Sequence, residues 1–102
     1  MGYKRFKIPL QAKNTGKALQ ATALQYDPET DTAPKVVATG QRIIAEQILA
    51  DARKHNIPIQ EDPALTAALA SVQLGEEIPV ELYQVVAEVL AYIYRVTDKY
   101  SK

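Results

Sequence analysis

The sequence has no cysteine and only one histidine among its 102 residues. Such a chain cannot form a disulfide or use a thiol nucleophile, and it lacks the ligands of the usual zinc sites. It also has no run of 18 consecutive apolar residues, and its start, MGYKRFKIPLQAKNTG, lacks the continuous apolar segment of a signal peptide. These absences predict a soluble protein that acts where it is made, which is consistent with the cytoplasm.

Little in the sequence could serve as a catalytic centre. His55 lies at a predicted helix end beside a lysine and an asparagine, and no serine has an evident catalytic partner. Gly40 lies between a predicted strand and helix, but the further glycines and the lysine of a phosphate-binding loop are absent. The acidic pairs at residues 61–62 and 76–77 are adjacent in sequence, a spacing that does not direct two carboxylates at one reacting atom. We therefore expect no enzyme activity, no metal site and no cofactor.

The charge is balanced overall but unevenly distributed. Residues 1–17 contain no acid and five basic residues, namely Lys4, Arg5, Lys7, Lys13 and Lys17. Because the net charge of the whole chain is zero, the remainder carries minus five. A basic arm could bind nucleic acid or an anionic membrane, or it could pack on its own acidic domain. We favour a solvated tail or an edge strand packed on its own acidic domain, and we expect no nucleic-acid partner. Five charges are few, and two nearby aromatic residues form no stacking platform.

Turn residues divide the chain beyond this segment into alternating strands and helices. Residues 21–26 (ATALQY) and 35–38 (KVVA) predict two strands, and the intervening DPETDTAP suits an antiparallel hairpin. Gly40 begins a predicted helix of about 15 residues, and Asn56 can end it in the left-handed conformation. The predicted inward face of this helix comprises Ile44, Ala45, Ile48, Leu49 and Ala52.

The second half of the chain continues the alternation. A strand predicted at residues 57–60 (IPIQ) would complete a right-handed parallel crossover after the helix. Asp62-Pro63 supplies an N-cap followed by proline at the first helical position, so a short helix should begin there. Gly75 ends that region. The predicted inward residues of the short helix and the segment after it are Leu65, Leu69 and Val72.

This order of elements predicts an α/β fold, in which a small mixed sheet of three to four strands packs with three to four helices. We predict that the domain covers residues 18–98. Residues 1–17 would form a basic N-terminal arm or an edge strand, and residues 99–102 a C-terminal tail.

The last helix, predicted to begin at Pro79, has an apolar face wider than one core contact requires. Its apolar arc spans roughly 200°, whereas roughly 100° suffices for a surface helix. Either part of this face contacts a partner, or two neighbouring elements cover all of it. The first stripe on the face comprises Leu82, Val85, Val86, Val89, Ile93 and Val96, and the second comprises Tyr83, Ala87, Leu90 and Tyr94.

Four segments together resemble a known family. They are ALQYDP, AP-KVVATG, a helix ending in HNIPIQEDPAL, and LGEEIPVELYQVVAEVLAYIYR. This series, from residue 21 to about residue 96, is similar to the cytoplasmic domain of the flagellar export-switch protein FlhB and its type III secretion relatives YscU, EscU and SpaS. The resemblance implies the fold of that domain and a role in flagellar or type III protein export.

The resemblance also indicates what this sequence lacks. Members of the family carry a membrane domain of four helices, and their cytoplasmic domain cuts its own backbone within an Asn-Pro-Thr-His loop. The four matching positions here are Gly16, Lys17, Ala18 and Leu19. Cleavage requires the asparagine side chain to attack its own carbonyl, and glycine has no side chain to do so. We therefore expect a free-standing homologue that does not cleave itself.

The resemblance further implies a binding site. In the flagellar members, a shallow hydrophobic pocket receives a short apolar motif of early rod and hook export substrates. Its lining residues correspond here to Ala33, Pro34, Ala87 and Leu90, two of which belong to the second stripe of the last helix. The alternative interpretation is that these four residues merely close the core.

The implied partners are early flagellar or type III export substrates, export-gate proteins and a membrane-bound FlhB. Contact with the membrane would then be indirect, at the cytoplasmic face of the inner membrane where the export apparatus lies. The leading hypothesis is thus a docking module for substrates or for the export gate. The alternative is a structural or regulatory subunit that binds another cytoplasmic export-apparatus protein without touching substrate.

Overall fold

The computed structural model describes residues 6–13 and 18–100. Within these ranges the chain forms four strands and three α-helices, which confirms the predicted fold class. No helix in the described ranges combines the length with the apolar character that crossing a bilayer requires. The strands are β1 Phe6–Ala12, β2 Gln20–Tyr26, β3 Lys35–Gln41 and β4 Gln60–Glu61; the helices are α1 Ile43–Lys54, α2 Pro63–Leu69 and α3 Tyr83–Tyr100, with a 3-10 turn at Val80–Leu82.

The four strands form one mixed sheet in the order β3-β2-β1-β4. β2 pairs antiparallel with both β1 and β3, whereas β4 pairs parallel with β1. β3 and β4 therefore run in the same direction at opposite edges of the sheet, and α1 connects them. This is the parallel crossover that the order of elements predicts.

The N-terminal segment differs from its prediction. Residues 6–12 form β1 and not an arm. β1 pairs with β2 along its whole length and with β4 at Leu10 and Gln11, so it is an edge strand only in its first half. The side chains of Ile8, Leu10 and Ala12 alternate onto one face of the sheet and are fully buried there. Pro9 is also buried, although its side chain points to the opposite face. Burial on both faces is typical of an interior strand, and the lysines of this segment hid that pattern. The other charged positions of the segment, Lys4, Arg5 and Lys17, lie outside the described residues.

The sheet is covered by helices on both faces. α1 packs on one face over a small cluster made by Ala21, Ala45 and Leu49. α2 and α3 pack on the other face, where the main core lies. The main core comprises Ile8, Leu10, Leu24, Ala33, Val36, Leu65, Leu69, Val72, Ile78, Val86 and Ile93. The predicted inward residues of α2 and the segment after it are thus confirmed.

Several boundaries differ from the sequence prediction. β3 continues through Gly40, so α1 begins at Ile43 and not at the glycine. A Cβ atom at Gly40 would collide with the side chain of Ile44, which explains why this strand residue is a glycine. Ile44 packs against Gly40 at the edge of the sheet but remains 51% exposed, so it is only partly covered on the inward face predicted for α1. The strand predicted at residues 57–60 is also wrong in extent, since β4 is only Gln60–Glu61.

Two predicted helix boundaries are confirmed. Asn56, the second residue after the end of α1, has a positive φ of 58°, in the left-handed region. Asp62 caps α2, because its carboxylate Oδ1 accepts a hydrogen bond from the Leu65 N–H at 3.0 Å. This cap turns the chain from the short strand β4 directly into the helix that covers the main core.

Candidate functional site

The four residues predicted to bind a partner lie together in one groove. We call it the α3 groove; it has a volume of about 220 Å³ and lies between α3 and the loop that precedes β3. Residues 32–34 form the loop wall and α3 forms the helix wall. No lining residue is charged. The complete lining is Tyr26, Thr32, Ala33, Pro34, Tyr83, Val86, Ala87 and Leu90.

The α3 groove has a buried floor and an open mouth. Ala33 and Val86 are only 2% and 1% exposed and belong to the main core. Ala87 is exposed, and Tyr83 is 40% exposed, so ligand access to these positions is direct. The small side chains of Ala33 and Ala87 leave room that larger residues would fill. The groove is therefore an apolar surface that the domain's own elements do not cover.

The two apolar stripes of α3 have different surroundings. In the first stripe, Val86 and Ile93 are buried against the sheet. In the second stripe, Tyr83 and Ala87 are exposed and Leu90 is partly buried at the edge of the core. Val85 is an exception to the predicted first stripe, since it is 42% exposed. The domain thus uses one stripe for its core and leaves much of the other in contact with solvent.

A compact turn holds the start of the loop wall. The Asp27 carbonyl accepts hydrogen bonds from the N–H groups of Thr30 and Asp31, at 3.1 and 2.8 Å. In return the Asp31 carboxylate Oδ2 accepts the N–H of Asp27 at 2.9 Å. The Asp27 carboxylate Oδ1 accepts the N–H of Glu29 at 3.0 Å. These bonds close residues 27–31 into one unit, as the Asp27-Pro28 turn signal predicts.

An extended segment from a distant part of the chain holds the end of the loop wall. The N–H of Ile78 donates to the Pro34 carbonyl at 3.0 Å. Next to it, the N–H of Val36 donates to the Glu76 carbonyl at 3.0 Å, and the N–H of Gly75 donates to the Val36 carbonyl at 2.8 Å. Residues 75–78 therefore lie along the outer edge of β3, and the chain then continues directly into the 3-10 turn and α3. One segment thus connects both walls of the groove.

The turn before the loop wall contains a carboxyl, that of Asp31, whose pKa is shifted. The hydrogen bond from the Asp27 N–H is the main cause that lowers the pKa of the Asp31 carboxyl below its ordinary value. Partial burial acts in the opposite direction, while the Lys35 ammonium, 3.6 Å from Asp31 Oδ1, and the Thr30 hydroxyl also lower the pKa. The turn is therefore most stable with Asp31 ionised.

The other face of the sheet carries a larger groove, of about 410 Å³, between α1 and strands β1, β2 and β3. Its lining mixes apolar side chains such as Ile44 and Ile48 with the charged groups of Lys7 and Asp51. Size alone would favour this groove as the functional site. We give priority to the α3 groove, because its lining is uncharged and contains all four residues predicted from the sequence.

Among the described residues, the remaining candidate positions are not arranged around a common point. The His55 ring Nδ1 lies 2.9 Å from the Asp51 carbonyl oxygen, and both residues are exposed at the end of α1. Among residues 6–13 and 18–100, no group of histidine and acidic side chains could hold a metal ion. Gly16 and Lys17, which match the first half of the family's cleavage motif, lie outside the described residues. Ala18 and Leu19 precede β2, where the Leu19 carbonyl accepts the Arg42 N–H at 2.9 Å.

Sequence reasoning missed four of the eight lining residues as site residues, namely Tyr26, Thr32, Tyr83 and Val86. Tyr83 and Val86 were detectable, because helical spacing places them on the same side of α3 as Ala87 and Leu90. Tyr26 and Thr32 reach the groove only because the 27–31 turn folds back on itself. No local pattern in the sequence predicts that contact.

The comparisons with known proteins agree on one family. Residues 19–93 match the model of the family described as FlhB HrpN YscU SpaS. YlqH of Bacillus subtilis, an uncharacterized protein, is 39% identical over 79 residues, covering 78% of this chain and 85% of YlqH. The flagellar biosynthetic protein FlhB of Salmonella typhimurium is 43% identical over 76 residues, covering 74% of this chain but 20% of FlhB. The chain thus spans about a fifth of the length of such FlhB relatives.

Solved structures show the same fold. The cytoplasmic domain of FlhB from Shewanella putrefaciens is similar with a TM-score of 0.72 and 35% identity, covering 83% of this chain and 69% of that one. The EscU C-terminal domain, as an asparagine-to-alanine variant, gives a TM-score of 0.71 and 26% identity, covering 82% of this chain and 83% of that one. The α3 groove is therefore built on the same framework as these export-protein domains.

The lowered pKa of Asp31 predicts how stability depends on pH. A carboxyl whose pKa is lower in the folded state adds stability above its unfolded pKa, and this contribution is lost as the pH falls through the folded pKa. Asp31→Asn should therefore lose less stability than the wild type between about pH 5 and about pH 2, as measured by urea unfolding. Carbon-13 NMR of the carboxyl gives the pKa directly. An Asp31 pKa at or above that of the unfolded chain would contradict this account.

Proposed function

The chain belongs to the FlhB HrpN YscU SpaS family, and on this premise we propose that it is a non-enzymatic component of flagellar or related type III protein export. Its role is to dock export substrates or export-gate proteins through the α3 groove. It acts in the cytoplasm, at the cytoplasmic face of the inner-membrane export apparatus. There it replaces or competes with the corresponding domain of a membrane-bound FlhB, so its contact with the membrane is indirect.

The observation that supports this proposal most strongly is the convergence of four residues from distant parts of the chain. Ala33 and Pro34 come from the loop before β3, whereas Ala87 and Leu90 come from the last helix, and all four line one groove. The family resemblance implies these four residues independently of where they lie in the structure. Their groove is apolar, uncharged and partly open to solvent, as a docking site for an apolar side chain requires.

The size of the groove limits the affinity that it can provide. A volume of about 220 Å³ accommodates one or two side chains and not an extended interface. A few apolar contacts must offset the loss of translational and rotational freedom, so the expected dissociation constant lies between about 1 µM and about 1 mM. Weak binding suits a site that export substrates occupy only briefly, because it allows rapid dissociation.

A second candidate function is favoured by the larger groove on the opposite face. It is lined partly by Val37 and Ile44, which are 41% and 51% exposed, so this face also offers apolar surface to a protein partner. A structural or regulatory subunit would use this face to bind another export-apparatus protein and would leave the α3 groove empty. The two functions differ in which face responds to a substrate peptide.

We predict that the protein does not cleave itself. The position of the family's attacking asparagine is occupied by Gly16, which has no side-chain amide. Purified protein kept at neutral pH should therefore retain one intact mass, including the N-terminal segment. The measurement is electrospray mass spectrometry over several days. Appearance of a fragment that begins near residues 15–18 would contradict this prediction.

Docking at the α3 groove is tested by amide NMR titration with a peptide that carries an apolar export motif of an early flagellar substrate. Chemical-shift changes should cluster around Ala33, Val36, Ala87 and Leu90. Ala87→Asp places a charge in the groove at an exposed position, so it should weaken binding at least about tenfold without unfolding the domain.

The matched control is Ala91→Asp, which makes the same substitution one helical turn further along α3. Ala91 is also exposed but does not line the groove, so this variant should bind the peptide like the wild type. Shift changes confined to the α1 face, or equal weakening by both variants, would favour the subunit function. Unfolding of Ala87→Asp alone would show instead that Ala87 belongs to the core.

A further inference from the structure

We propose that Asp31 is a positioning residue for the α3 groove, because its side chain bridges the two ends of the loop wall and holds that wall against α3. The inference rests on the proposed function of the groove as a docking site. Asp31 is an acidic residue outside the groove lining, and on this inference it controls the shape of an uncharged site.

The Asp31 carboxylate makes contacts at both ends of the loop wall. One oxygen, Oδ2, accepts the N–H of Asp27 at 2.9 Å, at the start of the turn that leads into the wall. The other oxygen, Oδ1, lies 3.6 Å from the ammonium of Lys35, the residue immediately after the wall. Wall residues 32–34 therefore lie between two residues that one side chain joins. The Asp31 side chain is only 11% exposed, so solvent competes weakly for its hydrogen bond with Asp27. The Lys35 side chain is 45% exposed, so water screens the ion pair, which is the weaker of the two contacts.

In the described part of the chain, few backbone hydrogen bonds hold the middle of the loop wall. Pro34 is fixed by the hydrogen bond from Ile78. In the described part of the chain, Thr32 and Ala33 make no backbone hydrogen bond of their own. Their position depends on the bonds at either end and on the packing of the Ala33 methyl group in the core. Loss of one end bond should allow this short segment to move away from α3.

The affinity of a small binding site depends on whether the site is ordered before the ligand binds. A ligand that binds through few contacts gains most when the site is already ordered, because ordering a loop on binding reduces the net affinity. The Asp31 bridge orders the wall before any ligand arrives. Without it, the same lining residues would remain, but the groove would not be preformed.

The test compares Asp31→Ala with Asp31→Asn. Asparagine keeps a side-chain oxygen that can accept the Asp27 N–H, whereas alanine removes both contacts. In Asp31→Ala we expect the Asp27 amide to exchange with solvent at least about tenfold faster, and the nuclear Overhauser effects between Ala33 and Leu90 to weaken. Asp31→Asn should retain most of both signals. The chemical shifts of α1 should be unchanged in both variants, since α1 lies on the other face of the sheet.

The peptide used to test docking provides the second readout. Asp31→Ala should bind it about fivefold more weakly than the wild type, and Asp31→Asn should restore most of the affinity. If Asp31→Ala does not fold, Lys35→Met provides the comparison, because it removes the ion pair and keeps the aliphatic stem. In that variant we expect a smaller loss of the Ala33 signals and about twofold weaker binding.

Two results would overturn the inference. One is an unchanged set of Ala33 signals in Asp31→Ala, which would show that Ile78 and core packing hold the wall unaided. The other is a displaced wall with full peptide affinity, which would show that its position does not matter for binding. If the wild type binds no peptide while the wall still moves in Asp31→Ala, Asp31 positions the wall as inferred, and it is the proposed docking function that fails.

Discussion

Burial of Val86 and Ile93 against the sheet is the interaction on which the rest of this structure depends. Both side chains are almost completely removed from solvent in the main core, where each contributes about 1.5–3 kcal/mol to the free energy of folding. They are seven positions apart, about two turns of a helix, so both lie on the same side of α3. Together they fix the rotation of α3 about its own axis. Once that rotation is fixed, Ala87 and Leu90 must face the loop before β3. The α3 groove is therefore a geometric consequence of core packing.

The loop on the other side of the groove is held by polar contacts and not by a helix or strand. Asp31 joins the turn to Lys35, and Ile78 holds Pro34 from a segment 44 residues away in sequence. That segment leads directly into α3, so the same short stretch of chain sets the positions of both walls. Small residues at Ala33 and Ala87 then leave the space between the walls open. A small apolar opening between walls that are held in place favours weak and selective binding of side chains.

How much of this could be predicted from the sequence depended on whether the determining contacts were local. The stripes of α3, the Asp62 cap and the left-handed Asn56 follow from helical spacing and residue type, and the structure confirms most of them. The burial of β1 was not predicted, because the lysines at positions 7 and 13 favour an exposed segment although Ile8, Leu10 and Ala12 alternate between them. Ile44 faces the sheet at Gly40 as its spacing predicts, but half of it stays exposed, and the helix sequence alone does not show that extent of cover. The bond from Ile78 that holds Pro34 connects residues 44 positions apart, so only the folded chain reveals it.

The central claim is that the surface around Ala87 contacts the export substrate, and the absence of cysteine allows a direct test of it. A single cysteine introduced as Ala87→Cys is little larger than alanine and leaves the groove open, and Ala91→Cys is the matched control on the same helix. Mass spectrometry measures how fast iodoacetamide alkylates each cysteine with and without the substrate peptide. Our account predicts that the peptide slows alkylation at position 87 and leaves the rate at position 91 unchanged. An unchanged rate at position 87, or equal slowing at both positions, would contradict it.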